Sequence, residues 1–308
     1  MNGKRFSDKP WRWLGLALLV AAAVPWVASE FASAVALSCL MYIALATSWS
    51  LFCGATRYLS LATSAFFGLG AYASATLLGV LPWPLVILCG AAIASAVAVA
   101  MGAAVLHLRG TYFAVLTFGM TELIRHAVTF VEKQVSGTVG RVLMEVPSNE
   151  TVYLTVLTIA GAAIACAILV KRSRFGLALA GIGADEQRAQ TLGVDTRRVK
   201  IAGFALTAAF AGAAGAAMAV RWTYIEPAAV FSPFIGFQTV LIALIGGAAS
   251  IGGPIVAAIV FSLLAETLRL QLPYGYMMVL GLLLILCVMY LPNGLATLWT
   301  ARQGQRHE

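Results

Sequence analysis

The chain has 308 residues, of which 61% are hydrophobic and only 10% charged, and its net charge is +8. A soluble domain carries roughly 25% charged residues, so this composition excludes an ordinary water-soluble globule and places the chain in a bilayer. The positive balance does not point to nucleic acid, because the basic residues fall in the gaps between apolar runs, where charge sets membrane topology.

Apolar runs occupy, in chain order, residues 13–28, 32–52, 58–79, 84–106, 111–130, 151–170, 199–220, 236–250, 254–271 and 275–291. A spanning helix needs about 20 such residues. The runs therefore predict an all-α, polytopic transmembrane helix bundle with about ten membrane segments, some short or broken, in a single domain over 1–308. Lys4, Arg5 and Lys9 precede the first run as they would in a secretory signal. The stretch "VASEF" is a poor cleavage site, however, and a second run follows at once, so a retained first helix is expected. With ten crossings and a cytoplasmic N-terminus, the C-terminus is cytoplasmic too, and fifteen of the twenty basic residues fall on the inner side.

Two runs contain breaks. The run 53–72, "CGATRYLSLATSAFFGLGAY", mixes Ser60, Thr63 and Ser64 with glycines and has the composition of a re-entrant segment. The run 236–250 ends in "GGAASIGGP", where Gly246, Gly247, Gly252, Gly253 and Pro254 interrupt a helix. An opened backbone survives at membrane depth only where protein or water covers it, so this break reads as a tight turn or as pore lining.

Some apparent motifs lack their context. Gly68, Gly70 and Ala73 spell the letters of a dinucleotide fingerprint without a strand or a soluble βαβ unit, and close helix packing explains them better. The five cysteines form no CxxC and the three histidines are scattered, so no metal site is expected. No G-x-x-x-x-G-K-[ST] occurs, which removes that route to ATP hydrolysis, and no catalytic residue is assigned. Glu122 sits in mid-run with Arg125 one turn later, either as a structural pair or as polar lining of a solute path. Glu266 and Arg269 repeat that spacing near a membrane boundary.

The stretch 172–200 carries nine charged side chains. Gly183 is read as interrupting the preceding helical pattern, Asp185 and Glu186 as suiting a helix start, and Gly193 after Leu192 as a stop. A short helix over about 184–192 follows, with Asp195 or Thr196 capping the next one. A helix this short is unstable alone in water and must dock on a surface, either the chain's own membrane domain or headgroups, or a cytoplasmic partner.

Five ordered stretches carry a family likeness. They are "GATRYLSLATSAFFGLGAY", "LRGTYFAVLTFGMTELIR", "FGLALAGIGADEQRAQTLGVDTRRVKIAGFALTAAFAGAAGA", "LIGGAASIGGP" and "LPNGL". Over about residues 40–298 the chain resembles the inner-membrane permease subunits of branched-chain amino-acid ABC transporters, LivM type. The resemblance implies a multi-pass protein of a bacterial inner membrane that moves a small polar solute, branched-chain or related amino acids foremost. It implies cytoplasmic ATP-binding subunits that use ATP and Mg, a second, LivH-like permease subunit and an extracytoplasmic solute-binding protein. It implies no cofactor on this chain and no nucleic acid. It places Phe175, Gly176, Asp185, Glu186, Leu192 and Gly193 in a cytoplasmic coupling loop over 171–198. Ser60, Gly68, Gly70, Tyr112, Glu122, Gly246, Gly247, Ser250 and Gly253 become candidates for the translocation pathway. The chain has Ser60-Leu61-Ala62-Thr63-Ser64 where that family usually shows Ser-Leu-Gly-His-Ala, so urea or a short amide is also considered as solute. A self-sufficient channel or secondary transporter using Glu122 is the competing reading.

Overall fold

In hydrocarbon each backbone N–H and C=O must be bonded within its own segment, so apolar runs of this length become helices. The computed structural model describes residues 9–282, except 109, 144–145, 223, 273–274, 276–277 and 280. Its helices are α1 (Lys9–Val27), α2 (Glu30–Trp49), α3 (Thr63–Leu77), α4 (Trp83–Val105), α5 (Thr111–Ser136), α6 (Asn149–Arg172), α7 (Arg174–Ala184), α8 (Glu186–Thr191), α9 (Thr196–Ala219), α10 (Pro227–Val230), α11 (Pro233–Gly246) and α12 (Gly252–Gln271). A π-helical turn, Ser50–Gly54, continues α2. Two short strands, β1 (Arg141–Val142) and β2 (Tyr224–Ile225), pair antiparallel, Arg141 opposite Ile225.

Seven spans among the described residues are long and apolar enough to cross a membrane: Glu30–Gly54, Trp83–Val105, Thr111–Val135, Asn149–Arg172, Thr196–Ala219, Pro227–Gly246 and Gly252–Gln271. The protein is thus an all-α polytopic bundle. The expected first and third segments correspond to α1 and α3, and α3, at 15 residues, is shorter than a spanning helix. Most of the expected tenth segment, the "LPNGL" signature and the C-terminus lie outside the described residues.

The core is built on α9, whose small side chains let neighbouring backbones come close. A Cβ on Gly70 of α3 would lie 1.9 Å from the Gly212 carbonyl oxygen, and one on Gly215 would lie 1.9 Å from the Phe67 carbonyl oxygen. Gly90 of α4 meets Ala216 and Gly212 on the same helix. Aromatic rings fill the space earlier along α9: Phe204 contacts Phe52 at 5.6 Å and Phe66 edge-on at 5.3 Å between centroids.

Three local expectations change. α3 begins at Thr63, five residues later than its apolar run, because the preceding stretch is held open by side chains. The Trp49 indole N–H donates to the Ser60 carbonyl at 2.9 Å, and the Leu61 N–H donates to Thr117 Oγ1 at 3.1 Å. α5 continues past residue 130 to Ser136, where Gly137 ends it in the left-handed region. Gly183 does not interrupt α7, which runs on to Ala184. It allows close approach instead, since a Cβ there would sit 2.1 Å from the Ala55 carbonyl oxygen.

Candidate functional site

The charged stretch folds almost entirely into helix. Lys171 and Arg172 end α6, where cations suit the negative end of the helix dipole. Ser173 then caps α7, its Oγ accepting from the Gly176 N–H at 3.1 Å. Gly176 is required at this corner, because a Cβ would fall 2.0 Å from the Val170 carbonyl oxygen. Phe175 packs partly buried against the core.

Asp185 caps α8. Its Oδ1 accepts from the N–H groups of Gln187 and Arg188 at 3.0 and 3.1 Å, and its Oδ2 pairs with Arg188 Nε at 3.1 Å. Gly193, with φ +86°, ends the element. The Gln190 side chain reaches forward to Thr196 Oγ1 at 2.9 Å, and Asp195 caps α9 by accepting from the Arg198 N–H.

The short helix is anchored through a cluster that no sequence motif announces. Lys200 Nζ pairs with Glu186 Oε1 at 2.7 Å, and the two side chains are only 5% and 9% exposed. The same ammonium donates to the Leu106 carbonyl at the end of α4, at 2.7 Å, and lies 3.2 Å from the Tyr58 hydroxyl. Tyr58 donates to Glu186 Oε2 at 2.8 Å, and its ring lies edge-on to Phe113. One buried ion pair thus joins α8 to the start of α9, the end of α4 and the segment leading into α3. Ala189 is the buried underside of α8, whereas Gln187, Arg188, Thr191 and Leu192 are exposed. Leu192, at 83% exposure, is a large apolar side chain on an otherwise polar surface.

The pathway candidates separate into four groups. Gly68 faces the Phe231 ring and Gly70 faces Gly212, both inside the bundle. Gly246, Gly247, Ser250 and Gly253 build the turn between α11 and α12. Gly247 has φ +86°, Ser250 Oγ donates to the Gly247 carbonyl at 3.0 Å and accepts from the Gly253 N–H at 3.0 Å, and Gly246 abuts Gly253. Ser60 lies buried in the open stretch before α3, its Oγ accepting from the Ala62 N–H. Tyr112 and Glu122 stand on α5, whose outer side is open. Glu122 pairs with Arg125 at 2.5 Å, each about three-tenths exposed, and Arg125 reaches His126.

At the far end of α5 a second cluster closes the bundle. Buried Glu132 accepts from the Tyr72 hydroxyl at 2.8 Å and from Arg141 Nε at 3.3 Å, tying α3 and α5 to β1. Tyr224 of β2 bonds the Val139 carbonyl. Sequence reasoning does not single out Glu132, whose only signal is a carboxylate at the end of an apolar helix.

The family described as "Branched-chain amino acid transport system / permease component" matches residues 31–289. The chain is similar to the high-affinity branched-chain amino acid transport system permease protein LivM of Escherichia coli, 27% identical over 312 residues, covering 90% of this chain and 73% of that protein. The protein of the same name from Salmonella typhimurium is 26% identical over 314 residues with the same coverage. No solved structure matches the chain.

Proposed function

The chain belongs to the permease-component family of branched-chain amino acid transport systems, and from that premise we propose how it works as the membrane subunit of an ATP-driven importer. It is a multi-pass membrane transport protein and not an enzyme. Its solute is a branched-chain amino acid or a close relative. ATP and Mg are used by separate cytoplasmic subunits that dock on α8, a second permease subunit completes the path along α5, and an extracytoplasmic binding protein delivers the solute.

The observation that carries this reading is the buried Glu186–Lys200 pair with its bonds to Tyr58 and the Leu106 carbonyl. A helix of six residues has no stability of its own, yet here it is fixed to three membrane elements while its other face is left to solvent. A push on Leu192, Arg188 or Gln187 is therefore transmitted to α9, α4 and the approach to α3 together. Movement of those elements against one another is what alternating access requires. Ten crossings with both termini in the cytoplasm complete the proposal, supported by the distribution of basic residues.

The test is reconstitution of the whole transporter in vesicles. Leu192→Asp, on the exposed face, is expected to leave insertion intact while abolishing ATP-dependent uptake and its link to ATP hydrolysis. Uptake and hydrolysis that stay coupled as in the parent would remove α8 as the docking element.

A further inference from the structure

Three local irregularities converge on one crevice of about 500 Å³ at the end of the bundle that carries α7. α2 unwinds into the π-helical turn Ser50–Gly54, a form that is rare and concentrated at functional sites. Arg57, three residues beyond it, has φ +60°, the only non-glycine residue in the left-handed region among those described. Such a conformation costs about 1–2 kcal/mol and persists where the surroundings impose it. Thr47, one turn before the π segment, is 2% exposed and lines the crevice, and its Oγ1 has no hydrogen-bond partner among the described residues. A buried hydroxyl without a partner is uncommon in a native structure and invites an acceptor or donor from a ligand.

The chemistry of the lining defines that ligand. Arg57 and Lys171 are the charged groups of the crevice, and no carboxylate lines it among the described residues, which favours an anion and leaves an ammonium group without a counter-charge. Lys171 is steadied by donating to the Ala249 carbonyl at 2.8 Å. The remaining walls are chiefly apolar, from Leu51, Val170, Leu179 and Ile251, and Leu177 stands exposed at the rim. A cationic mouth over an apolar cleft between membrane helices matches a molecule with an anionic head and a hydrocarbon tail. We propose that this crevice binds a phosphate-bearing anionic lipid from the leaflet on the side of the 171–198 loop, its phosphate at Arg57 and Lys171 and a polar group of its head or glycerol backbone bonded to Thr47. The lipid would then rest between the π turn, α7 and the α11–α12 turn. This inference requires only that the chain spans a membrane, and it stands or falls separately from the transported solute.

The experiment is native mass spectrometry of the purified full-length transporter during titration with phosphatidylglycerol or with phosphatidylcholine of the same acyl chains. Phosphatidylglycerol is expected to bind more tightly, and Arg57→Gln combined with Lys171→Gln to weaken it on the order of tenfold or more. Thr47→Val is expected to weaken it further without cost to folding, because the hydroxyl it removes is bonded by no described protein group. Arg57→Gly serves as the folding control: it relieves the left-handed backbone, so thermal stability should hold or rise while lipid preference falls. Equal binding of the two lipids, displacement of phosphatidylglycerol by inorganic phosphate alone, or an unchanged preference in these variants would each overturn the proposal.

Discussion

Lys200 shows how a single residue changes meaning with its neighbours. Its charge would be costly one turn inside an apolar helix, but the Glu186 carboxylate, the Leu106 carbonyl and the Tyr58 hydroxyl surround its ammonium, and the Tyr58 ring lies 4.8 Å from it. Removing one partner leaves the other charge buried alone. Lys200→Met is therefore expected to destabilise the protein by about 3–5 kcal/mol. Lys200→Met with Glu186→Leu should recover much of that loss, since a buried pair replaced by apolar groups is often neutral. The check is the denaturation midpoint of the detergent-purified protein for the two singles and the double. If both singles match the parent, the pair does not anchor α8. The same reasoning bears on charge reversal at Glu186, which would disturb this anchor before it reported on docking, whereas Leu192 probes the outer surface alone.

At the scale of elements, packing between helices is governed by backbone approach. α3 and α9 are in such close contact at Gly70 and Gly212 that any Cβ forces them apart. Gly70→Ala should cost about 1–3 kcal/mol or more as overpacking. A Cβ on Gly119 of α5 would meet no described atom within 4 Å, so Gly119→Ala in the isolated chain should be neutral or stabilising by up to about 1 kcal/mol. Thermal melts of both variants compare the two sites directly, and equal losses would contradict the asymmetry. Much of this level is legible in the sequence. Run lengths predict the helices, Asp185 and Gly193 bound α8, and the small residues of α3 read as a packing surface. Periodicity treats one segment at a time, however, so it cannot show that Gly70 meets Gly212 or that Tyr58 meets Glu186 from 128 positions away. It misreads Gly183 for the same reason, because the contact with the Ala55 carbonyl that explains this glycine comes from another part of the chain.

Across the whole molecule, burial is uneven in a way that bears on assembly. Within their spanning windows 72% of α9 is buried but only 11% of α5. α5 nonetheless carries Glu122, Arg125 and His126 in its middle, and a charged pair facing lipid at that depth would cost several kcal/mol, on the order of 2.5–3.5 per residue on insertion scales. The outer side of α5 therefore needs either a protein partner or a water-filled path, and the proposed second permease subunit supplies both at one seam. Substrate movement along that seam would expose Glu122 to solute, so Glu122→Gln should slow uptake while leaving protein levels and ATP hydrolysis close to the parent. A cysteine at Val115 or Leu123, both exposed on α5, should react with a maleimide in the chain purified alone and be protected in the assembled transporter. A cysteine at Leu192 should be protected only when the ATP-binding subunits are present. Reaction at Val115 and Leu123 that is indifferent to assembly would place the partner on another face and free Glu122 from the proposed path.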